Sequence, residues 1–170
     1  MRKIIRIVIV CLTFSQVSAQ EMNRVIVDSD LDREILIGLV DEKGLESPVF
    51  VENWKDQMDI YTPDKVVTKN LKKYFKKNKD IEVMVFFASW CHDSQVQMPD
   101  FVKLTKKTKI KNITYYALDR KKELPGMEIG KYDLEWVPTF IFYRGGQEIG
   151  RIIESPKVSL EKDLWEMVEE

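Results

Sequence analysis

Apolar residues along this chain fall into short blocks whose spacing switches between the strand and helix periods. Positions 35–40 are apolar apart from Gly38 and predict a strand, followed by a turn over 41–44. Positions 20–33 are polar and predict a loose lead-in. Pro48 suits the first turn of a helix, and after it Phe50, Trp54, Gln57 and Met58 fall near one helical face. Thr62, Pro63 and Asp64 start a further helix, with Thr62 as N-cap and Pro63 at the first position. Val66, Val67, Leu71, Tyr74 and Phe75 make its apolar stripe, with Lys72, Lys73, Lys76 and Lys77 on the wet side.

Positions 82–88 are apolar throughout after Glu82, the pattern of a strand covered on both faces. A helix is predicted over 94–108, with Val96, Phe101, Val102 and Leu104 as core candidates. The lysines at 103, 106, 107, 109 and 111 read as solvation of that helix and its end. A strand over 113–118 and a short helix over 128–134 follow. Strands over 139–143 and 148–153 are joined around Gly145-Gly146, a hairpin signal, and an amphipathic helix over 160–168 closes the chain. From residue 62 the order is α-β-α-β-α-β-β-α. That order predicts an α/β fold with a mixed sheet, part parallel and ending in an antiparallel hairpin, with helices on both faces.

The first 19 residues follow a different logic. Arg2, Lys3 and Arg6 precede an apolar stretch over 7–12, and Val17-Ser18-Ala19 offers small residues for cleavage. This is the pattern of a signal peptide, with the mature chain starting at Gln20 and an exported, periplasmic or extracellular location. The apolar stretch is shorter than the roughly 20 residues a spanning helix needs, so no stable membrane span is expected after cleavage. Cleavage removes three of 27 basic residues and none of 28 acidic ones, leaving a net charge of −4. That balance gives no support to nucleic-acid binding. Cys11 leaves with the leader, and Cys91 becomes the single cysteine of an exported chain. An unpaired cysteine there reads as a reactive thiol or an intermolecular link, against a buried inert residue.

Cys91 sits in Trp90-Cys91-His92-Asp93-Ser94, between the apolar strand and the helix that carries Pro99. A strand that delivers a cysteine to a helix N-terminus favours the thiolate, because the dipole and free amides stabilise negative charge. One histidine and one mature cysteine fall short of the four ligands of a structural zinc site, so no metal and no cofactor are expected.

With this motif, Pro99 in the helix after it and Val137-Pro138-Thr139 opening the hairpin, residues 62–170 resemble the thioredoxin superfamily. The resemblance is strongest to exported bacterial members with a Trp-Cys-Gly-Asp-Ser motif. Leu118-Asp119-Arg120 with Pro125-Gly126, and Glu148 to Pro156, fit that subgroup too. It implies a thioredoxin-like three-layer sandwich, with 20–61 as an N-terminal extension. It also implies that Cys91 is the nucleophile and Pro138 a cis-proline beside it; the residues alone allow a trans-proline starting an edge strand equally well. Val137 would then offer its backbone to an extended peptide, with Trp90 and Trp136 as an apolar shelf. Three positions depart from the family. Ser94 replaces the second cysteine, Val85 replaces a buried acid, and His92 replaces glycine. Ser94 either donates a hydrogen bond to the thiolate or bonds to backbone at the helix start. His92 either favours the thiolate when protonated or is a solvated loop residue.

Two functions follow from the resemblance. One is a monothiol oxidoreductase or isomerase: Cys91 attacks a disulfide and an external thiol releases the mixed disulfide. Its partners would be disulfide- or cysteine-containing envelope proteins, or a low-molecular-weight thiol. The alternative is a redox-inactive module that holds a peptide or partner on the same scaffold.

Overall fold

A computed structural model describes residues 21–169; the predicted leader over 1–19, with Cys11, lies outside them. The lead-in is not loose. Arg24–Asp28 forms strand β1, antiparallel to β2 (Arg33–Val40), because Val25 and Ile26 pair with Leu36 and Ile35. Asp28 turns the chain between them by accepting the amides of Asp30 and Leu31 on its carboxylate.

The remaining strands are β3 (Ile81–Phe87), β4 (Asn112–Ala117), β5 (Thr139–Arg144) and β6 (Gln147–Ile153). They form one six-stranded sheet in the order β1-β2-β4-β3-β5-β6. Only β3 and β4 run parallel; β2 joins β4, and β5 joins both β3 and β6, antiparallel. Residues 24–40 are therefore built into the same sheet as the rest of the chain.

Alternation along β3 sends Val83, Val85 and Phe87 to one face, and Phe86 with the following Ala88 to the other. The first face is covered by α1 (Glu42–Leu45), α2 (Trp54–Ile60), α3 (Lys65–Lys77), α4 (His92–Thr108) and α5 (Leu160–Glu169). Phe101 of α4 meets Phe140 of β5 at a ring separation of 4.4 Å, deep in this layer. The second face is covered by the connection 118–138, which carries a 3-10 helix over Ile129–Tyr132 and packs Leu124, Leu134 and Tyr132 beneath it. The layers are those of the expected α/β sandwich.

Local details differ from the pattern reading where short polar side chains take control of the backbone. The expected turn at 41–44 is α1, started by Asp41, whose carboxylate accepts the amides of Lys43 and Gly44. Pro48 lies in a turn ahead of α2. α3 starts two residues later than expected: Asp64, not Thr62, is its N-cap and accepts the amides of Val66 and Val67. An aspartate with two amides on one oxygen outcompetes a threonine for that role. Val66 and Val96, expected in the core, are 68% and 38% exposed. Leu71 and Phe75 carry the apolar side of α3, and Met98 joins Phe101, Val102 and Leu104 on α4.

Candidate functional site

The loop between β3 and α4 is fixed by four hydrogen bonds. The Ser89 hydroxyl, buried, accepts the amide of Leu36 on β2 at 2.9 Å. The Trp90 indole donates to the Leu118 carbonyl at the end of β4, at 3.1 Å. Gln95 on α4 donates its side-chain amide to the Ser89 carbonyl at 2.8 Å. The Ala88 amide donates to the Ser94 hydroxyl at 3.2 Å. A loop held by a neighbouring strand, the next strand's end and its own helix has few conformations left, so the thiol it carries is positioned before any substrate arrives.

Cys91 is the N-cap of α4 and half-buried. Its backbone starts the helix, with the Gln95 amide donating to the Cys91 carbonyl at 3.1 Å. Its thiol does not cap the helix; it donates to the Val137 carbonyl at 3.4 Å. The peptide bond that follows, Val137–Pro138, is cis. Thr139 closes this turn by donating its hydroxyl to the Trp136 carbonyl at 2.6 Å, and the Glu154 amide donates to the Pro138 carbonyl at 2.7 Å. The chain segments at 91 and 137–138, 46 residues apart in sequence, thus meet at the sulfur.

The structure brings Trp90, Cys91, Val137 and Pro138 together and places the other candidates around them. Of the two roles open to Ser94, the backbone one is observed: it is fully buried and bonds to the Ala88 amide, and among the described residues it makes no hydrogen bond to the Cys91 thiol. His92 is exposed in the first turn of α4, beside the acidic Asp93. Val85 is fully buried in β3, so an apolar side chain fills the position where the resemblance places an acid. Trp136 is 56% exposed, with the Lys122 ammonium 5.2 Å above its ring. Arg120 stacks on Trp90 at 5.1 Å. Both cations come from a loop that Asp119 organises by accepting the amides of Lys121 and Glu123. Each tryptophan of the rim therefore offers an apolar plate edged by positive charge.

Sequence reasoning missed Ser89 and Gln95, and read Arg120 only as part of a family segment, without its place over Trp90. Ser89 carries no local signal, because its partner is 53 residues away on a strand of the N-terminal segment. Among the described residues no group of three or more metal-ligating side chains comes together, and no helix is long and apolar enough to cross a membrane.

A thiol at a strand–helix junction beside a cis-proline, on a mixed sheet with its helices, defines a thiol protein of the thioredoxin-like fold. The Thioredoxin family model matches residues 63–166, and the chain belongs to that family, one of thiol–disulfide oxidoreductases. It is 30% identical over 125 residues to Thioredoxin H2-1 of Oryza sativa subsp. japonica, a match covering 72% of this chain and 79% of that one. It is 28% identical over 95 residues to Thioredoxin H-type 1 of Nicotiana tabacum, covering 54% and 72%. A thioredoxin-like protein of Acanthamoeba polyphaga mimivirus is 26% identical over 90 residues, covering 53% of this chain and 64% of that protein's length.

Proposed function

We propose that the protein is an exported monothiol member of the family, acting on disulfides through Cys91. The observation that carries this reading is the half-buried Cys91 at the N-cap of α4, its sulfur 3.4 Å from the carbonyl that precedes a cis-proline. The Cys91 thiolate attacks one sulfur of a substrate disulfide. The substrate S–S bond breaks, its other sulfur leaves as a thiolate, and a Cys91 mixed disulfide forms. Ser94 cannot attack that bond, since an alcohol is a poor nucleophile towards sulfur and this one is held on the Ala88 amide. An external thiolate completes the cycle: it takes the substrate sulfur and releases Cys91 as thiolate. A cysteine of the same substrate gives isomerisation; a low-molecular-weight thiol leaves the substrate as a mixed disulfide with that thiol, and a second equivalent of the same thiol, released with the first as its disulfide, completes net reduction. Disulfide- or cysteine-containing proteins of the cell envelope are the proposed partners, with the leader over 1–19 removed on export.

For substrate binding, Trp90 supplies an apolar plate and Val137 with Pro138 the backbone shelf beside the sulfur. Because the Val137 carbonyl accepts the resting thiol, thiolate formation frees that carbonyl for a substrate amide.

The test is release of thiolate from a small aromatic disulfide by the purified chain starting at Gln20, whose one cysteine is Cys91. One equivalent per chain is expected, with a matching mass increase on Cys91, and none from Cys91→Ser. Equal release by protein and variant overturns the proposal and leaves the peptide-binding module.

A further inference from the structure

We propose that the cleft between α3 and α4 binds a small molecule bearing two or more phosphate groups. Lys72 lies on the wet side of one helix and Lys103 and Lys107 on the wet face of another, and folding gathers them with Lys65 and Lys69. Lys65, Lys69 and Lys72 of α3 and Lys103 and Lys107 of α4 line one concavity of about 380 Å³, floored by Tyr61 and Pro63. No carboxylate lines it, in a chain whose formal net charge is −1. Among the described residues none of the five lysines forms a salt bridge. Carboxylates do pair with this helix elsewhere: Lys106, off the cleft, meets Glu42 at 3.0 Å and Glu46 at 4.0 Å. Five lysines lining one hollow concentrate positive charge there, and an anion placed among them offsets their mutual repulsion.

Two further observations point to a ligand and not to mere solvation. Thr68 lines the cleft, and its hydroxyl oxygen is buried beside it without a hydrogen-bond partner, within reach of the cleft by a side-chain rotation. A helical threonine ordinarily bonds back to a carbonyl of the preceding turn, so an orphaned hydroxyl here lacks a partner that a phosphate oxygen supplies. Lys103 is not free to swing out: its ammonium donates to the carbonyls of Met58 and Asp59 at the end of α2, which fixes one positive charge at the rim. The volume lies in the range of about 300–1,000 Å³ typical of small-molecule sites, which favours a compact ligand over a long polyanion lying on a flat stripe. A phosphate group carries a charge of about −1.5 to −2 at neutral pH, so two or three of them match five lysines. The site is separate from the thiol. Lys103 lies twelve positions beyond Cys91 along α4, a rise of about 18 Å.

Calorimetric titration of the purified protein with inorganic tripolyphosphate, at physiological salt, tests this. Saturable binding of one equivalent is expected. The double variant Lys69→Ala with Lys72→Ala weakens it at least about tenfold, since two charge-assisted contacts are lost. Thr68→Val weakens it about threefold or more through the lost hydroxyl. Lys106→Ala and Cys91→Ser change it less than about twofold, because neither side chain lines the cleft. A parallel titration with adenosine triphosphate separates the sources: tighter binding than tripolyphosphate identifies a nucleotide, equal or weaker binding an inorganic or simple phosphate ligand. Melting curves without ligand check that each variant is folded. Absence of saturable binding, binding unchanged in the double variant, or equal weakening by Lys106→Ala overturns the proposal.

Discussion

Tyr61→Phe isolates the contact that ties the N-terminal segment to the last helix. The substitution deletes one oxygen and keeps the ring, which packs against the main core. That oxygen donates to Glu161 Oε2 at 2.6 Å, while Glu161 Oε1 accepts the Asp64 amide at 3.0 Å. Glu161 is 4% exposed, so water does not replace the lost donor easily. A hydrogen bond to a charged group contributes about 1.5–3 kcal/mol, and the Asp64 amide remains, so the expected loss is about 2 kcal/mol at neutral pH. For a chain of this size that lowers Tm by about 4–8 °C.

The pH dependence has a definite sign. Burial pushes the Glu161 carboxyl up, but the Asp64 amide, the Tyr61 hydroxyl and its own amide together outweigh burial and hold it below the usual 4.5. A carboxylate lowered in the folded state adds stability above its unfolded value, and that stability is lost as pH falls through the folded value. The penalty of Tyr61→Phe is therefore full at pH 7 and shrinks below 4.5. Urea unfolding followed by tryptophan fluorescence, at pH 7 and pH 3, measures it. A loss under about 0.5 kcal/mol at pH 7, within the ordinary range for surface changes, or the same loss at both pH values, refutes the reasoning.

Asp100 of α4 behaves in the opposite sense: burial raises it to about 6, with Lys103 pulling partly back. Its charge then costs stability above pH 6 and nothing below the ordinary 3.8. The group is half-exposed, and screening reduces the effect to about 1 kcal/mol, so Asp100→Asn stabilises by that amount at pH 8 and by none at pH 3 in urea melts. Gly44→Ala places a Cβ against Asn23 Oδ1 and 2.7 Å from Val40 Cγ1, and is expected to cost about 1–3 kcal/mol in the same assay. Phe101→Ala empties the contact with Phe140 and is expected to cost about 3–5 kcal/mol; a loss below about 1.5 kcal/mol would show that the cavity refills.

The sequence by itself determined what local chemistry specifies. The apolar runs located β3, β4 and the β5–β6 hairpin to within a residue or two, since a buried strand needs an unbroken apolar stretch. The Trp-Cys motif with Val137-Pro138 gave the family, which the match over 63–166 bears out. Tertiary structure decided what depends on partners distant in the chain. Strand β1 exists because β2 is there to pair with it, so its polar neighbours hid it. Ser94 had two possible hydrogen-bond partners, and packing gave it the Ala88 amide. Ser89 serves the thiol loop only because β2 comes to lie beside it. Lys72, Lys103 and Lys107 read locally as solvated, and nothing along the chain singles out Lys65 or Lys69. Only the packing of α3 against α4 turns them into one positive cleft, because charge density depends on distance in space and the sequence records distance along the chain.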